Sequence, residues 1–304
     1  MNKEIEVTPL WQNVVTFQLI KIPIHKPLDF MKKESNSTMT NQSKEFSEIQ
    51  ISLKTLRKLG KKKFRQQAGC YLLEGVSAVV DAVKMGAPVQ LVVYDHRGKD
   101  KKSFNEALDN ITGNNIPTRT VEPDDLKMMS GLDTTPSMIA VVSKPEDSRP
   151  DLPLPPGLVL ALDRVNNPGN VGSLIRSAAY FGALEVWLGR ETAELFNPKT
   201  LRAAMTAQLV IKVCPDVDLG AILPVAKESG SRIIAAVIED GSEPEFLKEP
   251  HKSTILILGN EAHGLSSGLL QLADKRVAIP GIGRIDSLNV AMAGTVLLDR
   301  MLRQ

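Results

Sequence analysis

Three short blocks in the second half of the sequence carry the residue types that could do chemistry, and each follows an apolar run of strand-like length. The first is Asn166-Asn167-Pro168-Gly169-Asn170-Val171-Gly172-Ser173-Leu174-Ile175-Arg176-Ser177-Ala178, a polar Gly- and Pro-containing loop that runs into a helical pattern. Helical spacing groups Leu174, Ile175, Ala178 and Ala179 on one side and Arg176 with Tyr180 on the other. The guanidinium therefore points away from the core, near a helix N-terminus that already favours anions. The second block, Leu258-Gly259-Asn260-Glu261-Ala262-His263-Gly264-Leu265-Ser266, opens a buried strand into a loop with a carboxylate, an imidazole and glycines that let the backbone come close to a ligand. The third, Ile279-Pro280-Gly281-Ile282-Gly283-Arg284-Ile285-Asp286-Ser287-Leu288-Asn289-Val290, precedes an apolar closing helix that reaches Leu302. Ends of parallel strands are where open α/β sheets bind ligands. Taken singly, each block also reads as a turn or helix cap with solvated charges.

Several other chemistries are excluded by what the sequence lacks. Gly281-Ile282-Gly283 has no third glycine of a dinucleotide fingerprint and no βαβ unit after it, and there is neither a Walker loop nor a Gly-x-Ser-x-Gly elbow. Cys70 and Cys214 sit far apart in strand-like stretches and read as two buried thiols of a reducing compartment, so no disulfide framework or paired-cysteine zinc site is expected. His25, His96, His251 and His263 show no metal-ligand spacing. No metal is expected.

Charge separates the two halves. Residues 1–150 hold 22 Lys and Arg against 18 Asp and Glu, whereas residues 151–304 hold 15 against 17, so the small net charge of +2 hides a basic front half. Lys54, Arg57, Lys58, Lys61, Lys62, Lys63 and Arg65 place seven cations in twelve residues. Such a run reads either as a solvated helix face or as a row of phosphate contacts on a nucleic acid.

These side chains need elements to hold them, and the apolar pattern supplies them. In the second half, Leu158–Leu162, Leu184–Leu188, Leu209–Val213, Ile233–Ile238, Thr254–Leu258 and Val277–Ile279 are strand-like runs separated by helical patterns. That alternation predicts an α/β domain over 157–304, a parallel sheet with helices on both faces. A smaller α/β unit over 51–144 is read from Cys70–Leu73, Val76–Val83, Val89–Tyr94 and Ser137–Val142. Between them, Lys144 to Pro156 contains five prolines in thirteen residues, and 145–156 reads as a stiff linker. Residues 1–50 show no clean period and read as a poorly ordered extension without the features of a secretory signal or transit peptide. No run approaches the roughly 18 apolar residues of a membrane helix. A soluble cytoplasmic protein without membrane partners is expected, or an organellar one if residues 1–50 act as an atypical targeting segment.

The three blocks, in this order, resemble the motifs of the SpoU (TrmH) family of RNA ribose 2'-O-methyltransferases in the SPOUT superfamily. The elements that match are Asn-Pro-Gly-Asn-x-Gly-x-x-x-Arg, Gly-Asn-Glu-x-x-Gly and Ser-Leu-Asn-Val, over Leu158 to the C-terminus. Phe64-Arg65, Tyr71-Leu72-Leu73-Glu74-Gly75 and the helix after them resemble the small substrate-binding domain, similar to a ribosomal protein, that precedes this catalytic domain in many members. The resemblance implies a deep trefoil knot near the C-terminus, a homodimer with the active site at the subunit interface, and S-adenosylmethionine as cofactor. It assigns cofactor contacts to Leu258, Gly259, Ile279, Pro280, Ser287, Leu288 and Asn289, and catalytic positions to Asn170, Arg176, Glu261, Ser287 and Asn289. Arg176 matches the family's essential arginine. Because a guanidinium stays protonated in proteins, its implied role is a cation that binds the target phosphate and lowers the pKa of the attacking hydroxyl. The basic run from Lys54 to Arg65 would then bind RNA, with ribosomal RNA of the large subunit as substrate. Alternatives are a tRNA 2'-O-methyltransferase and a catalytically idle RNA-binding or ribosome-assembly protein. Ala204-Met205-Thr206 departs from the Ser-Met-Gly of many relatives, so a different turn is expected there.

Overall fold

Two sheets organise the chain in the computed structural model, which describes residues 52–130, 134–145, 148–238, 241, 253–281 and 287–302. The expected extension over 1–50 lies outside the described residues, as does Arg284. Short helices α1 (Leu53–Leu56) and α2 (Lys62–Ala68) lead into β1 (Cys70–Glu74), α3 (Val76–Lys84), β2 (Val89–Tyr94), α4 (Lys102–Gly113), β3 (Thr118–Thr120), α5 (Pro123–Met129) and β4 (Met138–Ser143). The strands order β1-β4-β2-β3; β4 runs antiparallel to both neighbours, and β2 and β3 are parallel.

The second sheet contains β5 (Gly157–Leu162), β6 (Glu185–Gly189), β7 (Lys212–Val217), β8 (Arg232–Ala236), β9 (Ser253–Leu258) and β10 (Lys275–Val277), ordered β10-β8-β9-β5-β6-β7 with every pair parallel. Its helices are α6 (Pro168–Phe181), α7 (Pro198–Ala204), α8 (Leu219–Glu228), α9 (Ser267–Leu272) and α10 (Val290–Leu302). Successive residues of a strand face opposite ways, and β5 shows it: Leu158, Leu160 and Leu162 pack with Leu174, Ile175 and Leu297 of α6 and α10, while Val159 and Ala161 pack with Leu223 and Leu269 of α8 and α9. Burial on both faces explains why these strands read as unbroken apolar runs. Each such leucine contributes about 1.5–3 kcal/mol by leaving water.

Local chemistry fixes the helix that carries Arg176. Asn167 caps α6, its Oδ1 accepting from the N–H groups of Gly169 (2.8 Å) and Asn170 (3.4 Å), Pro168 follows in the first turn, and Gly182 ends the helix in left-handed geometry. Ser177 and Thr295 share a hydroxyl hydrogen bond of 2.7 Å that joins α6 to α10.

Three boundaries differ from the sequence reading. The apolar stretch around Leu209 begins as a 3-10 turn over Ala207–Leu209, and the strand starts only at Lys212. The strand expected over Val277–Ile279 ends at Val277, and the one over Ile233–Ile238 ends at Ala236. The turn at Ala204-Met205-Thr206 places Met205 and Thr206 both at positive φ, 49° and 67°, a conformation that strains a β-branched residue such as Thr206. The proline-rich stretch lies against the larger sheet: Leu154 is buried in its core and Asp151 pairs with Lys212 at 2.7 Å.

The two sheets are not isolated from one another. Residues 51–304 cluster as one unit, and the main apolar core runs from Tyr71 and Leu73 of the smaller sheet to Leu195, Phe196 and Leu201 beside the larger one. The rings of Tyr71 and Phe196 lie 4.6 Å apart.

Candidate active site

The first two sequence blocks meet at the carboxyl ends of β5 and β9. Asn170, in the first turn of α6, donates from Nδ2 to Oε1 of Glu261 at 2.8 Å, across 91 residues of sequence. Asn260 shapes the loop that presents Glu261. Its Oδ1 accepts from the N–H groups of Ala262 (2.9 Å) and His263 (3.0 Å), its Nδ2 donates to the Arg164 carbonyl (2.8 Å), and its backbone exchanges both hydrogen bonds with Gly264. Gly259 is required at the base of this loop because a Cβ there would lie 2.4 Å from the Gly264 carbonyl carbon and the Leu265 nitrogen. Leu258 is buried beneath it, and its carbonyl accepts from the Asp163 N–H at 2.8 Å.

Asp163 and Arg164, just after β5, brace the Glu261 loop, a task the sequence reading did not assign to either residue. The buried Asp163 carboxylate accepts from the Ser266 N–H at 3.1 Å and pairs with Arg164 at 3.2 Å, which stitches β5 to the Glu261 loop. Hydrogen bonding to that carboxylate raises the pKa of the Arg164 guanidinium. The signal was present as a charged pair immediately after the apolar run Leu158–Leu162.

Arg176 projects from α6 into solvent and makes no hydrogen bond or ion pair among the described residues, so its donors face outward. The third block is divided. Ile279 is partly buried and Pro280 exposed, Ser287 and Asn289 are exposed, and Leu288 keeps 51% of its surface exposed. Asn289 has a structural task, since its Oδ1 accepts from the Ala291 N–H at 2.8 Å and caps α10. Residues 282–286, between the two parts, lie outside the described residues.

The basic run is split over α1, α2 and the turn between them. Lys54, Lys58, Lys61, Lys62 and Lys63 are exposed, with the Lys58 ammonium 5.0 Å from the Phe64 ring, and Arg57 pairs with Asp125. Arg65 corrects the sequence expectation. Only 2% exposed, it donates to the carbonyls of Leu59 (2.9 Å) and Gly60 (2.7 Å) and pairs with Glu194, so it has no donor surface to offer a nucleic acid. Local pattern could not reveal this, because its partner lies 129 residues away.

Both cysteines are free and buried; burial, with Glu185 nearby, pushes the Cys214 thiol up to about 12. Among the described residues there is no cluster of three metal-ligating side chains and no helix long and apolar enough to cross a membrane.

The chain is similar to known proteins along most of its length. Residues 157–299 match the SpoU rRNA Methylase family and residues 51–140 an MRM3-like substrate binding domain. The chain is 30% identical over 259 residues to a 23S rRNA (uridine(2479)-2'-O)-methyltransferase of Streptomyces viridochromogenes, covering 81% of this chain and 87% of that protein. It is also 30% identical over 246 residues to the 23S rRNA (guanosine(2553)-2'-O)-methyltransferase RlmP of Bacillus subtilis, covering 81% and 94%. Among solved structures, the SpoU methyltransferase AviRb from S. viridochromogenes in complex with AdoMet aligns with a TM-score of 0.72 and 29% identity, covering 83% of this chain and 96% of that one.

Proposed function

Because the chain belongs to the SpoU rRNA methylase family, we infer that it is an S-adenosylmethionine-dependent methyltransferase acting on a ribose 2'-hydroxyl of ribosomal RNA. The observation that carries the reading is the Asn170–Glu261 hydrogen bond, which joins two separate sequence blocks at the start of the helix that also carries the exposed Arg176. A catalytically idle scaffold would not need those groups assembled. Ribosomal RNA rather than transfer RNA is the substrate class, because two relatives that align across both the small unit and the larger sheet are named as 23S rRNA enzymes.

S-adenosylmethionine, when bound, supplies the electrophilic methyl group of a sulfonium. The residues present suit it: half-exposed Leu288 and partly buried Ile279 offer apolar surface for an adenine, beside Pro280, Ser287 and Asn289. Leu258 and Gly259 would form the base of that site. The chain's own contribution to catalysis is electrostatic. The attacking 2'-hydroxyl gains negative charge as it loses its proton, and Arg176 is a permanent cation with a planar fork that holds a neighbouring phosphate and stabilises that charge. Glu261 and Asn170 fix each other and so fix the edge of the site, while Ser287 and Asn289 flank it. Lys54, Arg57, Lys58, Lys61, Lys62 and Lys63 hold the RNA through phosphates, which gives affinity rather than sequence choice.

On this reading 51–144 is the substrate-binding domain, 145–156 the linker and 157–304 the catalytic domain, with a trefoil knot through the segments that carry the second and third blocks. The enzyme works as a homodimer. Tyr180 on α6 and Met292 on α10, 76% and 64% exposed, leave apolar surface on two adjoining helices that a second subunit would cover. Its compartment is that of its ribosomal RNA, the cytoplasm, or an organelle where residues 1–50 act as a targeting segment. The test is methyl transfer from labelled S-adenosylmethionine to unmethylated 23S rRNA with mapping of alkali-resistant 2'-O-methyl sites. Incorporation at one ribose is expected; none at all, with cofactor bound, overturns the reading.

A further inference from the structure

The buried Arg65 belongs to a cluster through which the smaller unit grips one loop beside the larger sheet. Arg65 of α2 pairs with Glu194, the Tyr71 ring of β1 lies 4.6 Å from the Phe196 ring, and the Lys144 ammonium, just after β4, sits 5.0 Å over the same ring. Burial lowers the pKa of that ammonium, with Glu194 opposing the shift. Three separate elements of the smaller unit thus converge on two side chains two residues apart. Those side chains immediately precede α7, whose first residue is Pro198 behind the cap Asn197. α7 in turn packs so tightly on α6 that a Cβ at Gly172 would lie 2.3 Å from the Thr200 carbonyl oxygen. An unbroken path of close contacts therefore links the basic helices, through Glu194 and Phe196, to the helix that carries Arg176.

We propose that Glu194 and Phe196 are positioning residues that hold the RNA-gripping helices at a fixed offset from Arg176 and thereby select which ribose is methylated. The proposal rests on the methyltransferase reading above and adds a determinant of site choice to it. Phosphate contacts by the exposed lysines carry no sequence information. A rigid distance between where the RNA is held and where the methyl group is delivered converts shape into selectivity. A tethered small domain would sample many offsets, as domains do unless their shared interface is large and apolar.

The test uses full-length Glu194→Ala and Phe196→Ala, with Glu194→Gln as the conservative variant that keeps an acceptor for Arg65. Cofactor and RNA affinities are expected within about threefold of wild type, because neither residue is among the groups proposed above to hold either ligand. The turnover rate on 23S rRNA should fall by about tenfold or more with little change in KM, and mapped 2'-O-methyl groups should spread to neighbouring nucleotides. Glu194→Gln should recover most of the fidelity. Wild-type turnover at a single unchanged ribose in both alanine variants overturns the proposal. Loss of cofactor binding in step with activity also overturns it, since that marks a merely structural role. If the alanine variants do not fold, Phe196→Leu, which keeps apolar volume but loses the ring contacts to Tyr71 and Lys144, decides, and unaltered site choice and turnover in it overturns the proposal. Failure of the wild-type protein itself to methylate rRNA sinks the underlying reading instead.

Discussion

At the scale of single residues, the candidate site separates groups tied up in hydrogen bonds within the protein from one, Arg176, that faces solvent. Asn260, Asn289 and Asp163 spend their side-chain oxygens on backbone N–H groups, whereas Arg176 spends nothing on the protein. Arg176→Ala should leave cofactor affinity nearly intact and lower methyl transfer about 100-fold or more, the scale lost with one preorganised charge-stabilising group. Arg176→Lys should rescue poorly, because a point charge lacks the planar fork. Single-turnover kinetics with saturating cofactor checks both; near-wild-type rates in the alanine variant contradict the role. Gly259 poses the opposite case, where an added atom rather than a lost one does the damage. Its Cβ would strike backbone that cannot retreat, so Gly259→Ala should cost about 1–3 kcal/mol of stability and disable cofactor binding. Thermal melting and calorimetry would measure the two effects, and normal cofactor affinity in this variant would remove Gly259 from the binding site.

At the scale of elements, legibility followed locality. The strands of the larger sheet and the helix over Pro168–Phe181 could be read because burial on two faces writes a continuous apolar run and burial on one face writes a helical period. β3, with only Thr118–Thr120, is too short and polar to write either pattern, and the apolar Leu209–Val213 run looked like a strand throughout although Leu209 closes a 3-10 turn and the strand starts at Lys212. The Asn170–Glu261 contact was legible only as a family resemblance, and Arg65 was misread because composition counts a charge without showing its partner. Removing Arg65 from the basic face leaves a sharper expectation for α1 and α2. Neutralising Lys61, Lys62 and Lys63 together should weaken RNA binding and flatten its salt dependence by up to about three units of slope while cofactor affinity stays constant. Titrations over a range of salt would show it. An unchanged slope would make these lysines a solvated surface and move the RNA contact toward Arg164, just after β5, and Arg202, in the last turn of α7.

At the scale of the whole molecule, the chain joins a unit that matches an MRM3-like substrate binding domain, a larger parallel sheet and an exposed apolar surface on α6 and α10. Light scattering at micromolar concentration should give twice the 33.2 kDa monomer mass, and Tyr180→Glu with Met292→Glu should reduce it to one. A monomer in the wild type would show that each subunit completes its own site. The shared core between the two sheets has a further consequence during synthesis. Arg65 leaves the ribosome 129 residues ahead of Glu194, and at about 5–20 residues per second that is a delay of roughly 6–26 s. Throughout it, the nascent small unit presents Tyr71 and an unneutralised guanidinium with no Phe196 or Glu194 to receive them. That surface of the small unit therefore stays uncovered until the loop before α7 emerges.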